Sequence, residues 1–173
     1  KTEYQKQNNK EMFDISENHF SISNFENIKI FSYQHTSHYK SALKMFESNI
    51  LFGKGPKMFR KLCKDDKYFY EHACSTHPHN IYIQLLAEVG IIGFLALFSL
   101  FIYILYLFIR IKFNHFKQKI IYDDYTILLL ILIFTNFFPF IPTGNFFNNF
   151  ISIYYFLPIG FLLAHLLQKK YNV

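Results

Sequence analysis

Two histidines separated by a proline, His77 and His79, stand directly ahead of an apolar run that continues to Ile111. An imidazole titrates near neutral pH, so it takes or gives a proton where few other side chains do. Behind His79, the residues Asn80, Gln84 and Glu88 recur every four positions. On a helix that spacing makes one polar stripe, with Ile81, Ile83, Leu85, Leu86 and Val89 covering most of the rest. Pro78 suits a first helical turn, because its fixed φ is helical and its missing N–H is not needed there. A polar stripe on the opening turns of an apolar helix is costly against lipid, so it is expected to face a bundle interior or a wet cavity. Gly90 and Gly93 are expected to let a neighbouring helix approach closely. Taken alone, these features equally fit a histidine that merely reaches water and polar residues that join helices.

The elements around this stretch divide the chain in two. Residues 1–80 hold most of the acids and six of the eight histidines, whereas beyond residue 80 the chain is mostly Leu, Ile and Phe. Residues 1–33 are polar with weak periodicity and read as loop with at most one short helix. From 37 to 48, Tyr39, Ala42, Leu43 and Phe46 recur at spacings of three and four, which predicts a short amphipathic helix. "GKGPK" at 53–57 is a turn, and "MFRKLC" at 58–63 begins another short helix. Three apolar spans follow, at about 85–111, 125–140 and 147–167, each read against roughly 20 residues per crossing. The fold class is therefore an all-α integral membrane protein, with three C-terminal transmembrane helices preceded by a mostly helical loop region over residues 1–80.

The net charge of +6 is placed as a membrane protein places it. After residue 80 the bases gather at Arg110 to Lys119 and at Lys169 and Lys170, each group just past an apolar span. Lysine and arginine resist translocation, so both groups are expected on the cytoplasmic side, with residues 1–80 and 139–147 outside. A nucleic-acid footprint would be a basic stripe on a soluble face, and none is expected. An outside segment permits disulfides. A Cys63–Cys74 bridge is expected there, closing a short loop worth roughly 3 kcal/mol and pinning the segment that leads to His77 and His79. His72, His77, His79 and the two cysteines invite a zinc reading. Such a site wants four placed ligands, however, and a His-x-His pair astride a proline splays its rings, so no metal is expected. His35 and His38 lie too far along an irregular stretch to be given a role. The chain begins with Lys and a polar head leading into membrane helices, as a C-terminal fragment would.

The combination resembles the O-antigen ligase and O-antigen polymerase superfamily. Its members carry His followed by Asn, Ser or Gln, nine residues, then Gly-x-x-Gly. Here His79-Asn80 is followed by Ile81 to Val89 and then Gly90-Ile91-Ile92-Gly93. The ligase form prefers Gly, Thr or Tyr next, and this chain has Phe94, which leaves ligase and polymerase both open. "SALKMFESNILFGKGPKMFR" is similar to the family's large periplasmic loop, and "FIPTGNFFNNF" at 140–150 to the short outer loop that follows. The likeness runs from about residue 38 to 167.

The resemblance implies part of a larger multi-span fold of the GT-C-like kind in a bacterial inner membrane, with residues 1–80 periplasmic and the C-terminus cytoplasmic. It implies an inverting glycosyltransferase that needs no metal or cofactor. The donor would be an undecaprenyl-pyrophosphate-linked glycan, and the acceptor lipid A-core or a second lipid-linked glycan. His79 would then be the base for the acceptor hydroxyl. Arg60, whose planar fork suits phosphate oxygens, would meet the leaving pyrophosphate with Lys54 and Lys57 nearby. Asn80, and Asn145 of the 140–149 loop, would hydrogen-bond substrate, beside ring stacking by Phe146 and Phe147. Glu88 suits either orienting the site or joining helices. The competing class is a non-catalytic membrane component of polysaccharide assembly or export, against which the intact motif argues.

Overall fold

The computed structural model describes residues 31–116 and 123–171, apart from the side chains of 114–116 and 170. The expectation for residues 1–33 falls almost wholly outside them. The chain divides into two units, Lys1–Ser32 and Tyr33–Val173, and the second holds every described helix. These are α1 (Tyr33–Glu47), α2 (Phe59–Leu62), α3 (Ile81–Phe116), α4 (Asp124–Asn136) and α5 (Asn149–Tyr171). No strand occurs among the described residues.

α3 starts where its cap dictates, later than Pro78 alone predicts. The Asn80 side-chain oxygen accepts from the backbone N–H groups of Tyr82 and Ile83, at 3.0 and 3.1 Å. Such a cap contributes about 1 kcal/mol by satisfying donors the helix itself leaves open. His79, just before the cap, sits at φ 60, so the helix does not extend back through Pro78.

α3 is also not one straight rod. Gly90 has φ 73 and ψ −166, values no helical residue adopts. The break is filled by backbone from the segment after α1. Lys54 N–H donates to the Ala87 carbonyl at 2.9 Å, Gly55 N–H to the Glu88 carbonyl at 2.8 Å, and Ile91 N–H to the Ile50 carbonyl at 2.8 Å. A Cβ on Gly90 would collide with the Leu51 peptide, and one on Gly53 would lie 2.7 Å from Gly90 N. Gly90 therefore admits a loop backbone, not the neighbouring helix expected from the sequence.

Beyond the break the helix turns back on itself. The Tyr82 ring touches Phe94 and Phe98 at centroid distances of 5.9 and 6.0 Å. In a straight helix those rings would be about 18 and 24 Å further along the axis. The 81–89 arm thus folds against the arm that begins at Ile91.

Ile81–Phe113 and Asn149–Lys169 are long and apolar enough to cross a membrane. Past Gly90, the arm from Ile91 to Phe113 still measures about 34 Å, against roughly 30 Å of hydrocarbon. The expected middle span is realised as α4, which has 13 residues and ends at Asn136. At about 20 Å it is shorter than one crossing. The chain after it, 137–148, packs instead on the opening turns of α3, where Tyr82 Oη donates to the Phe137 carbonyl at 2.7 Å. Asp123 caps α4 and also binds His165 at 2.9 Å and Lys169 of α5, which sets α4 and α5 antiparallel.

Replacing Gly90 by alanine combines a clash with a left-handed φ. The loss of stability is expected to be at least about 2 kcal/mol. Gly160→Ala, in the middle of α5 with nothing within 4 Å of the added atom, is expected to be neutral or to gain up to about 1 kcal/mol. Thermal unfolding of both variants in detergent measures the contrast.

Candidate functional site

The His-Pro-His stretch is clamped from the 137–148 segment by one residue, Thr143. Its N–H donates to the His79 carbonyl at 2.9 Å, and its carbonyl lies 3.1 Å from His77 Nε2. A carbonyl only accepts, so Nε2 of His77 carries the hydrogen. Nδ1 of the neutral ring then accepts from the Thr76 hydroxyl at 2.9 Å. Both nitrogens of His77 are committed.

Around His79 the structure gathers three further imidazoles. Its ring centroid lies 4.2 Å from His77, 5.3 Å from His38 and 5.7 Å from His35. His35 and His38 come from the first turns of α1, one turn apart on the same side. The buried face of that helix is Ser37, His38, Ser41, Ala42 and Met45. It is rotated from the Tyr39, Ala42, Leu43 and Phe46 face predicted from periodicity. Ser37, Ser41 and Ala42 are small enough for α1 to lie close on α3, and that approach brings His38 in. His38 Nδ1 is 2.7 Å from the Ala73 carbonyl, which places the hydrogen on Nδ1 and leaves Nε2 as its acceptor nitrogen.

His79 differs from its neighbours. Its ring nitrogens make no hydrogen bond among the described residues, and the ring stays partly exposed. Its φ of 60 is strained for a residue with a side chain, and the Thr143 and Asn80 contacts on either side hold it there. Burial, with the adjacent His77, His38 and His35 rings, pushes its pKa down to about 4. His77 is also lowered, by burial first and then by His38 and Arg60, against the pull of the Thr143 carbonyl. Both shifts favour the neutral ring at His77 and His79, and His79 keeps its nitrogens without a hydrogen bond among the described residues.

The polar stripe of α3 is buried against protein, with Gln84 0% and Glu88 1% exposed. Its atoms are satisfied pairwise. Gln84 Nε2 donates to Glu88 Oε2 at 3.0 Å and to Asn145 Oδ1 at 2.9 Å, and Gln84 Oε1 accepts from Phe146 N–H at 2.9 Å. Glu88 Oε1 accepts the Phe59 N–H at 2.9 Å. Met58 gives α2 no side-chain cap, so Glu88 supplies one from α3. That contact fixes where Arg60 stands, one residue further on.

Arg60, Cys63, Lys64, Cys74, Ser75 and Thr76 line a shallow open cleft of about 300 Å³. Cys63 and Cys74 are joined in a disulfide with Cα atoms 5.3 Å apart. The bridge ties α2 to the segment running into His77, and Thr76 is shared between the cleft wall and the His77 hydrogen bond. A basic cleft therefore abuts the imidazole cluster.

The other residues singled out from sequence fall elsewhere. Lys54 leaves the turn at the Gly90 break, with Nζ 5.8 Å from the Tyr68 ring centroid, and Lys57 is exposed on the same turn. Lys54 N–H is anchored at Ala87, about 12 Å down the arm from His79. Asn80 and Asn145 are buried; Asn80 caps α3 and donates to the Pro139 carbonyl at 2.7 Å, while Asn145 bonds Gln84 and the Phe147 N–H. His72 is exposed beside Glu71 and Tyr33. Among the described residues no three His, Cys, Asp or Glu side chains are placed to hold an ion. Sequence reasoning missed His35, His38, Lys64 and Thr143. Only the three-residue spacing of the two histidines on a helix carried any signal.

The family model described as O-antigen ligase matches residues 12–98, which include α1, α2, the disulfide and the first arm of α3. No curated protein and no solved structure matches the chain.

The depressed pKa of His79 links stability to pH. Between its unfolded value of 6.5 and its folded value of about 4, the unfolded chain binds more protons. Stability is thus full above pH 6.5 and falls on acidification through that window. His79→Gln is expected to flatten the decline in melting temperature, and an unchanged slope would remove His79 as its source.

Proposed function

The chain belongs to the O-antigen ligase family, and on that premise we propose that it is a glycosyltransferase at the outer face of a bacterial inner membrane. It would move a glycan from undecaprenyl pyrophosphate to an acceptor hydroxyl. Family membership and the apolar helices support a membrane protein of polysaccharide assembly that meets lipid-linked glycans. The donor, the inversion and the named residues are our reading. One observation carries it: of the tied imidazoles, His79 alone combines free ring nitrogens, partial exposure and a strained backbone held by its neighbours.

In the step proposed, the acceptor oxygen attacks the anomeric carbon from the face opposite the pyrophosphate. The bond from that carbon to the phosphate oxygen breaks, and its electron pair leaves with the lipid pyrophosphate. The acceptor's proton goes to a ring nitrogen of His79. An imidazole with a pKa of about 4 is fully available at neutral pH but weakly basic. A pyrophosphate in the adjoining cleft would raise that pKa by charge, so the base strengthens when donor is bound. Arg60 and Lys64, which line that cleft, would meet the phosphate oxygens. Lys54 and Lys57 add positive charge further along the arm, while Asn80 and Asn145 act by holding the site's backbone. The acceptor is lipid A-core or a second lipid-linked glycan. No step calls for a metal.

His79→Ala in the full-length protein is expected to lower transfer about 10² to 10⁴-fold while leaving membrane insertion intact. Normal transfer by that variant would refute the assignment. Arg60→Ala is expected to weaken donor binding by roughly tenfold or more, the worth of a charge-assisted hydrogen bond. An unchanged dissociation constant retires Arg60 from the pyrophosphate role.

A further inference from the structure

The tip of the loop that docks on the Gly90 break carries three apolar residues in a row, Ile50, Leu51 and Phe52. They are 55%, 57% and 68% exposed. Their backbone is held to α3 on both sides of the break, through Ile91 N–H to the Ile50 carbonyl and Lys54 N–H to the Ala87 carbonyl. A mobile loop would be free to fold such side chains inward. This one is fastened with them outward.

What lies next to the tip identifies the partner. The exposed side chains of α3 below the break include Ile92, Leu95, Ile102, Tyr106, Ile109 and Phe113. They recur every three, four or seven residues and form one apolar face about 32 Å long, close to the roughly 30 Å of a bilayer's hydrocarbon. Ile50 is hydrogen-bonded to the residue just before Ile92, so the tip continues that face at its upper end. Immediately after the tip come Lys54 and Lys57. An apolar tip followed by lysines matches a segment that buries its front in acyl chains and keeps its charges among lipid phosphates.

We propose that the Ile50–Phe52 turn is embedded in the bilayer, its side chains among the acyl chains of the leaflet where the Ile91 arm enters, with Lys54 and Lys57 at the headgroups. The inference rests on the membrane reading of α3 and is independent of the glycosyl-transfer reading. It gives the turn a function besides filling the helix break: it fixes the depth at which the Gly90 crossing and the start of the Ile91 arm sit in the bilayer.

The chain contains no tryptophan, so one introduced residue reports alone. The full chain is reconstituted in nanodiscs of phosphatidylethanolamine and phosphatidylglycerol, with or without brominated acyl chains. Three variants are compared: Phe52→Trp, Ile109→Trp on the apolar face of α3, and Phe69→Trp in the polar stretch near the disulfide. The expected result is that Phe52→Trp emits at short wavelength and loses fluorescence to brominated lipid as fully as Ile109→Trp, with no loss to aqueous iodide. Behaviour like Phe69→Trp, with long-wavelength emission quenched by iodide and not by bromine, overturns the proposal. Short-wavelength emission quenched by neither also overturns it, because protein then covers the tip. Leu51→Trp carries the same test should Phe52→Trp fail to form the Cys63–Cys74 bridge.

Discussion

Where two backbones cross in contact, a side chain pointing into the crossing has no room, and the described residues hold such a crossing between the 50–55 turn and the opened helix. Gly53 lies against the Glu88–Gly90 backbone and Gly90 against the Leu51–Phe52 peptide, each with positive φ, and three backbone hydrogen bonds pass between the loop and the opened helix. The break would leave the Ala87 and Glu88 carbonyls and the Ile91 N–H without partners in an apolar setting, a cost of several kcal/mol. The docked loop supplies all three partners. Because α3 turns there, its first arm lies beside the second and not in line with it. That places the His79 end against the 137–148 segment and α1.

The sequence motif gains a physical meaning from this crossing. Asn80 starts the arm as its cap, nine residues give about two and a half turns, and Gly90 ends it. That length holds His79 about 15 Å from the crossing. Between the two, Gln84 and Glu88 each satisfy a backbone N–H of a different loop, at Phe146 and Phe59. A buried carboxylate and amide would be destabilising without those partners. With them, they orient both loops that flank the imidazoles. The motif therefore describes one short arm with a fixed start, a fixed end and two lateral attachments.

The chemistry of the site follows from crowding like groups together. Burial and three neighbouring imidazoles within a few ångströms disfavour a proton on His79, and burial does the same at His77. His77 and His38 resolve this by fixing their tautomers on carbonyls at Thr143 and Ala73. His79 has no such partner among the described residues, and its ring stays partly exposed. The cleft that Arg60 and Lys64 line shares Thr76 with the cluster, through the hydrogen bond to His77.

Much of this was legible in the chain alone. The polar stripe, the apolar runs, the two cysteines and the His-Asn-x9-Gly-x-x-Gly spacing are local or periodic, and each depends on near neighbours in sequence. The second apolar run misled, because α4 stops at Asn136, whose side chain donates to the Tyr154 carbonyl. The residues after it are as apolar as a span but bind α3 through backbone atoms, which composition does not record. The amphipathic face of α1 was misassigned for a related reason, since close packing rewarded its small and imidazole residues over its larger apolar ones. Residue type and spacing by themselves determined that an imidazole would stand at the head of an apolar helix with a polar stripe below it. Only the tertiary structure decided that His35, His38 and Thr143 would meet it, because those contacts span 41 to 64 residues of chain and exist only once the helix breaks at Gly90.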